Sequence, residues 1–245
     1  MAPLLRLDAV SRSYWRGTRE LHVLKDISLD VQAGEMVGVY GKQGSGKTTL
    51  LRLAGGFEQP ATGTVTFDGT DLATVSGSRL ARIHREEIAW VERAGPESRE
   101  LLMRVYVALP LYRKLGPIKA ERRAVAALAK VGAADAADAR WASLSDTARM
   151  LVAIAHALVR EPRLLLVDDP TAGLGILDRE RVMGLLHSAA EDGGLGVLMA
   201  MPDMPAMVHA HQVRSLSRGR LLAPADPPPD GHGTVVEFPG GERSA

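Results

Sequence analysis

The segment that most constrains this chain is residues 41–48, which read Gly-Lys-Gln-Gly-Ser-Gly-Lys-Thr. This is a complete phosphate-binding loop motif, because its glycines let successive backbone N–H groups curl around phosphate oxygens. The apolar run 35–40 before it is typical of a buried strand, and residues 49–54 after it are typical of a helix. The alternative is a chance glycine-rich turn. The motif and its flanks agree, so the sequence predicts a nucleoside triphosphate site.

Each part of this loop has an expected role. Lys47 would reach the β- and γ-phosphates, and the Thr48 hydroxyl would ligate Mg²⁺. The helix that follows directs its positive N-terminal end at the same phosphates. ATP and Mg²⁺ are therefore the expected cofactors. The predicted nucleotide contacts from this segment are Gly41, Lys42, Gln43, Gly44, Ser45, Gly46, Lys47, Thr48 and Thr49.

Composition excludes several other classes. The formal net charge of +1 gives no electrostatic reason to expect a nucleic-acid partner. The chain has 0 cysteines, so disulfides, thiolate metal sites and cysteine nucleophiles are ruled out. No apolar run approaches the roughly 18 residues of a membrane span, and residues 1–8 do not resemble a signal peptide. We therefore expect a cytoplasmic protein.

The order of patterns along the chain predicts an α/β fold. Alternating segments at 5–10, 27–31 and 65–67 predict an antiparallel β layer at the N-terminus. Strands alternating with helices in the second half predict a mostly parallel sheet. We expect a P-loop NTPase core over residues 1–222 with an inserted helical lobe at about 94–160. Residues 223–245 are rich in proline and glycine and are predicted to be a disordered tail.

Several segments together resemble the nucleotide-binding subunit of ABC transporters, most closely the lipoprotein and macrolide exporter type. The resemblance covers roughly residues 4–222. It rests on the order and spacing of the segments 41–51, 53–60, 63–72, 107–112 and 164–171. It implies a transmembrane permease partner and a location at the inner face of the cell membrane. It also implies pairing with a second ATP-binding subunit, identical or different. The departures from the family pattern described below favour a different one.

The resemblance adds two site residues. Tyr14 stands where the family places an aromatic ring that stacks on adenine, although the neighbouring Trp15 competes for this role. Asp168 ends the apolar run 164–167, where the family has the carboxylate that holds Mg²⁺ opposite Thr48. The alternative is that Asp168 only caps the next turn.

Two departures from the family pattern affect the site built on this chain's own P-loop. The family has glutamate directly after the Mg²⁺ carboxylate, and this chain has Asp169, a weakened catalytic base that is one methylene shorter. A displacement of about 1 Å can cost on the order of 10²-fold in rate. Pro202 stands where the family has its switch histidine, and proline offers no side-chain hydrogen bond. His209 and His211 are interpreted as ordinary helix or surface histidines.

Other departures affect the loop that would serve a partner's nucleotide. The family's Leu-Ser-Gly-Gly-Gln signature reads Leu-Ser-Asp-Thr-Ala here, so Ser145 remains while Asp146 and Thr147 replace the glycines. Asp146 either repels the γ-phosphate or only caps the helix that follows. Arg93 replaces a glutamine that touches Mg²⁺; it could contact a phosphate but cannot ligate a cation, and the alternative is a solvated charge pair. Gly175 replaces the aspartate of the family's D-loop.

Three functions remain open at this stage. The first is an energy-coupling subunit that binds ATP and hydrolyses it slowly through Asp169, with Lys47 assisting. The second is a regulatory or structural pseudo-ATPase, in which ATP acts as a clamp on a membrane partner. The third is a nucleic-acid-associated ATPase, but the chain lacks basic patches and long coiled-coil arms.

Overall fold

A computed structural model describes residues 2–91, 93–202, 204 and 209–222. The strands are β1 (Leu5–Arg16), β2 (Arg19–Val31), β3 (Met36–Tyr40), β4 (Thr62–Phe67), β5 (Thr70–Asp71), β6 (Ile88–Val91), β7 (Leu164–Asp168), β8 (Gly196–Met201), β9 (Gln212–Ser217) and β10 (Arg220–Leu222). The α-helices are α1 (Lys47–Ala54), α2 (Gly77–Glu86), α3 (Met103–Ala108), α4 (Tyr112–Leu115), α5 (Pro117–Lys130), α6 (Asp146–Leu158) and α7 (Ile176–Gly193). Single 3₁₀ turns lie at Leu109–Leu111, Ala134–Ala136 and Trp141–Ser143.

The N-terminal layer is an antiparallel sheet in the order β2-β1-β4-β5. Its strands alternate between buried and exposed residues because one face packs on the core. The register of β1 shifts between Leu7 and Val10, where Ala9 adopts a positive φ of 49°. Gly63 lies against this irregularity, and a Cβ there would stand 2.4 Å from the Ala9 carbonyl oxygen. Only glycine allows the two strands to approach so closely.

The second sheet has the order β10-β9-β3-β8-β7-β6, with β10 antiparallel and the other pairs parallel. Strands β3, β7 and β8 are buried along almost their whole length, as expected for a sheet covered on both faces. Tyr40 pairs with Met201, and Asp168 pairs with Ala200. The carboxyl ends of β3, β7 and β8 therefore meet at one edge, which is where such sheets bind ligands.

The helical segment packs against the β6 side of this sheet. Helices α3, α5 and α6 bury their apolar faces together, including Met103, Leu128 and Ile154. The predicted α/β fold with its antiparallel layer is confirmed. Helix α6 begins at Asp146 because the Ser145 side chain caps it. Among the described helices, none has the length and apolarity needed to cross a bilayer. The tail predicted for residues 223–245 lies outside the described residues.

Candidate nucleotide-binding site

The P-loop joins β3 to α1 and contains glycines that other residues cannot replace. Gly44 and Gly46 have φ values of 79° and 105°, a region that side chains disfavour. Gly41 has a different reason, since a Cβ there would lie 2.4 Å from the carbonyl oxygen of Leu216. The loop therefore packs tightly on β9.

Lys47 is the first residue of α1, and its ammonium group folds back over the loop. Its Nζ donates to the carbonyl oxygens of Gly41 at 2.5 Å and Lys42 at 3.1 Å. Partial burial lowers the pKa of Lys47, and the negative charges of Asp168 and Asp169 oppose that shift. An anion bound in the loop would supply the partner that this partly desolvated cation favours.

Thr48 and Asp168 come from elements 120 residues apart and meet at the same edge of the sheet. The Thr48 hydroxyl donates to Asp168 Oδ2 at 2.6 Å. A hydroxyl oxygen and a carboxylate oxygen side by side form a donor set that suits Mg²⁺. Asp168 does more than cap a turn, because its carboxylate contacts the helix that carries the P-loop lysine.

A cavity of about 560 Å³ lies over these groups. It brings together residues from the P-loop, from the end of β7 and from the end of β8. Sequence reasoning missed Val23, which lies on β2 outside the alternating run 27–31 from which that strand was predicted. The lining residues are Val23, Gln43, Gly44, Gly46, Lys47, Thr48, Thr49, Asp168, Asp169 and Pro202.

Asp169 and Pro202, at the positions that the resemblance compares with the family's base and switch histidine, both line this cavity. The backbone of Asp169 has a φ of 48°, which aspartate tolerates better than most residues. Its N–H donates to the Ala200 carbonyl at 2.8 Å, so the turn is anchored to β8. Pro202 forms part of the cavity wall, and its side chain cannot make a hydrogen bond.

The Tyr14 side chain contacts Glu58 and Arg12. Its hydroxyl donates to Glu58, and the Arg12 guanidinium lies 4.8 Å from the centre of its ring. Burial tends to raise the pKa of Glu58, but the hydrogen bonds from Tyr14 and Arg52 and the nearby arginine charges lower it overall. Tyr14 is not among the residues that line the cavity, and the neighbouring Trp15 is 72% exposed. Adenine stacking by Tyr14 stays a prediction.

Arg93 braces the turn that follows the candidate base. Its guanidinium donates to the carbonyl oxygen of Asp169 at 3.3 Å and to that of Ala172 at 2.7 Å. A cation that supports backbone carbonyls differs from both sequence-based interpretations, phosphate contact and a solvated charge pair. Arg93 therefore helps to set where Asp169 stands.

The loop that resembles the signature motif begins helix α6. Ser145 is the N-cap, and its Oγ accepts from the Ala148 N–H at 3.2 Å, so Asp146 is the first helical residue and not the cap that sequence allowed. Asp146 lies 3.3 Å from Arg149. Sequence reasoning missed Arg149, although the spacing of three residues on a helix was a readable signal. This pair offsets part of the negative charge that would meet a phosphate.

Comparisons with known proteins agree with this geometry. Residues 24–172 match the family model described as ABC transporter. The lipoprotein-releasing system ATP-binding protein LolD of Chromohalobacter salexigens is 34% identical, with 89% of this chain and 92% of the relative covered. The uncharacterized ABC transporter ATP-binding protein YvrO of Bacillus subtilis is 36% identical, with 89% and 96% covered.

A third relative is larger. The macrolide export ATP-binding/permease protein MacB 1/2 of Paracoccus denitrificans is 34% identical over 91% of this chain, which spans only 33% of that relative. Among solved structures, the dimeric ATP-binding cassette MJ0796 bound to ADP and Pi has a TM-score of 0.81 and 27% identity, covering 89% of this chain and 96% of the other. CbiO1 of Clostridium perfringens, part of the transporter complex cbiONQ, has a TM-score of 0.80 and 25% identity, covering 91% and 88%.

Proposed function

Because the chain belongs to the ABC transporter family, we propose that it binds Mg-ATP at the P-loop and couples that binding to a membrane permease. One observation carries the proposal. The Thr48 hydroxyl lies 2.6 Å from the Asp168 carboxylate, in the same cavity as Lys47. Three groups with separate roles toward a metal-bound triphosphate thus converge on one place.

The residues divide the work of binding. Backbone N–H groups of the loop hold the phosphates, and the Lys47 ammonium offsets their charge. Thr48 and Asp168 would hold Mg²⁺, which when bound neutralises charge on the β- and γ-phosphates. Gly44 and Gly46 give the loop its left-handed turns, and Gly41 lets the loop approach β9 closely.

The proposal includes a permease contact near the end of β6. Phe57 is 46% exposed and stacks on His84 with ring centroids 4.3 Å apart. Trp90 lies edge-on to Phe57 at 5.7 Å, and Arg93 follows on the same strand end. An exposed aromatic group beside the residue that braces the Asp169 turn would let a docked permease act on the nucleotide site. The segment from Arg93 to Tyr112 would form the rest of the docking groove.

The proposal also includes pairing with a second ATP-binding subunit, identical or different. Ile176 and Leu177 begin helix α7 and are 81% and 85% exposed. They follow the turn that contains Asp169 and Ala172, whose carbonyl oxygens accept hydrogen bonds from Arg93. A second subunit that covered Ile176 and Leu177 would therefore lie beside the nucleotide. Through the permease the chain would be peripheral on the cytoplasmic face of the membrane.

Two specific observations favour slow turnover or none, so the pseudo-ATPase remains the second candidate. The side chain of Asp169 is one methylene shorter than the glutamate of the family pattern. Pro202, which lines the same cavity, provides no side-chain hydrogen bond. Asp146, which replaces a glycine of the family's signature loop, is a further departure, on the loop that would face a partner's nucleotide. A homodimer would therefore carry both weaknesses at both sites, which favours a different partner.

The first experiment measures ATP binding by titration calorimetry in Mg²⁺ buffer. We expect Lys47→Ala to abolish measurable binding, because it removes the cation nearest the phosphates. Lys114→Ala is the matched control, since this lysine is exposed on α4. Equal affinity in wild type and Lys47→Ala would contradict the proposal.

The second experiment separates turnover from binding. Phosphate release is measured for wild type and Asp169→Asn, alone and with a co-encoded permease. Release that disappears in Asp169→Asn supports slow hydrolysis and excludes the pseudo-ATPase. Binding without release under both conditions supports the pseudo-ATPase instead.

A further inference from the structure

Three side chains form a cluster that the proposed function does not use. Two of them lie in the second half of α7, and the third lies just before β9. His187 and Glu191 lie on one face of α7, four residues apart, and His211 directly precedes β9. His187 Nε2 lies 3.3 Å from Glu191 Oε2, and His211 Nε2 lies 3.6 Å from Glu191 Oε1. The two imidazole rings stack with centroids 5.0 Å apart. This histidine–glutamate cluster shares no residue with the phosphate cavity.

From this geometry we infer that the histidine–glutamate cluster is a binding site for a divalent transition metal of the Zn²⁺ class. One candidate ligand atom from each residue lies within 4.8 Å of the others. Ligands around a tetrahedral Zn²⁺ stand roughly 3.4 Å apart, given metal–ligand distances of about 2.0–2.2 Å. The nitrogen–oxygen separations of 3.3 and 3.6 Å are close to such an edge but involve different oxygens of Glu191, so its carboxylate must shift for one oxygen to face both imidazoles.

The ligand types select the metal. Two imidazoles with one carboxylate suit zinc, copper or nickel, whereas Mg²⁺ prefers oxygen ligands only. The side chains of His187, Glu191 and His211 are 30%, 56% and 30% exposed, so an ion can enter and a water can complete the coordination. The site is thus chemically distinct from the Thr48–Asp168 pair.

One hydrogen bond opposes metal binding. The Met36 N–H donates to Nδ1 of His211 at 3.0 Å, so in the metal-free protein the proton of that ring belongs on Nε2. Coordination through Nε2 places a proton on Nδ1 instead and gives up this bond. The loss weakens the apparent affinity by roughly ten- to a hundredfold. We therefore expect micromolar and not nanomolar binding.

The neighbouring contacts indicate what the metal would do. His209 pairs with Glu180 at 2.8 Å, so two histidines of the segment before β9 already hold it against α7. His211 also joins the start of β3 through the Met36 backbone. A bound metal would replace the contacts of His187 and His211 with Glu191 by coordinate bonds and fasten α7 to the start of β9. The role is structural and does not depend on ATP hydrolysis.

The test is calorimetric titration of chelator-treated protein with Zn²⁺ at pH 7.5, without nucleotide. We expect one ion per chain in the micromolar range, weakened at least 30-fold in His187→Ala and in Glu191→Ala. His22→Ala is the matched control, because His22 also pairs with a glutamate, Glu20 at 3.8 Å, on an exposed strand. Asp168→Asn controls for Zn²⁺ entering the P-loop site, and both controls should bind as wild type.

Three results would overturn the inference. They are Zn²⁺ binding no tighter than millimolar, binding that survives both α7 substitutions, and binding lost only in Asp168→Asn. As a second readout, saturating Zn²⁺ should raise the melting temperature of wild type and leave that of His187→Ala unchanged. None of these outcomes depends on ATP binding, so a failure here is distinguishable from a failure of the proposed function.

Discussion

Single residues decide whether this nucleotide site does more than bind. The P-loop glycines, Lys47, Thr48 and Asp168 stand in positions suited to phosphate and Mg²⁺. The groups that would activate water are the ones that differ from the family pattern. The distinction follows from physics, since binding tolerates small displacements that the transfer of a proton does not.

Lengthening the candidate base should raise turnover. Asp169→Glu restores the missing methylene, and we expect phosphate release to rise, by up to on the order of 10²-fold, relative to wild type. Glutamate tolerates the positive φ of 48° at this position less well than aspartate does, so the melting temperature should fall slightly. Steady-state phosphate release is the measurement, with Pro202→His as an added background. A variant no faster than wild type in either background would show that another step limits turnover.

At the scale of elements, helix α6 links the helical segment to the loop that resembles the signature motif. Its N-cap is Ser145, whose Oγ accepts from the Ala148 N–H, and its first turn pairs Asp146 with Arg149. Seven residues of the helix are buried, from Met150 to Ala157. The N-terminal end of the helix, which carries Ser145, is thus positioned by the core of the helical segment.

Removing the cap should destabilise this helix. We expect Ser145→Ala to lower the free energy of unfolding by about 1 kcal/mol, because the Ala148 N–H loses its acceptor. For a chain of this size that is roughly 2–4 °C in melting temperature. Ser145→Asn is the conservative control and should hold stability near wild type. Thermal denaturation followed by circular dichroism measures both, and an unchanged Ser145→Ala would argue against the cap.

At the scale of the whole molecule, the partly buried His156 makes folding sensitive to acid. His156 lies within α6 and stacks on Tyr106 with ring centroids 4.4 Å apart. Burial, together with the charge of Arg160, lowers the pKa of His156 from 6.5 to about 4. Between these values the unfolded chain binds a proton that the folded chain does not.

Stability should therefore fall as pH is lowered through this window. Above pH 6.5 the imidazole is neutral in both states, and the loss accumulates between pH 6.5 and about 4. The full contribution is on the order of 3 kcal/mol. His156→Phe preserves the ring stack and removes the titration, so its stability should depend less on pH over that range. Urea denaturation at several pH values is the measurement, and parallel curves for the two proteins would contradict the assignment.

The local sequence was sufficient wherever a short pattern carries its own geometry. The glycine spacing of residues 41–48 requires a phosphate loop, and the alternation of the early strands requires a half-buried sheet. The apolar run before Asp168 indicated a buried strand ending in a carboxylate. These inferences succeed because backbone sterics and hydrophobic periodicity act over a few residues.

Tertiary structure alone decided how distant segments meet. Arg93 could be a phosphate ligand or a solvated cation until its contacts with the Asp169 and Ala172 carbonyls were known. The spacing of His187 and Glu191 is readable on a helix, but no local pattern puts His211 beside them, because parallel strand order brings β9 beside β3 and so places His211 against α7. The sequence determines which chemical group each residue carries, but the packing of the sheet decides which groups come into contact.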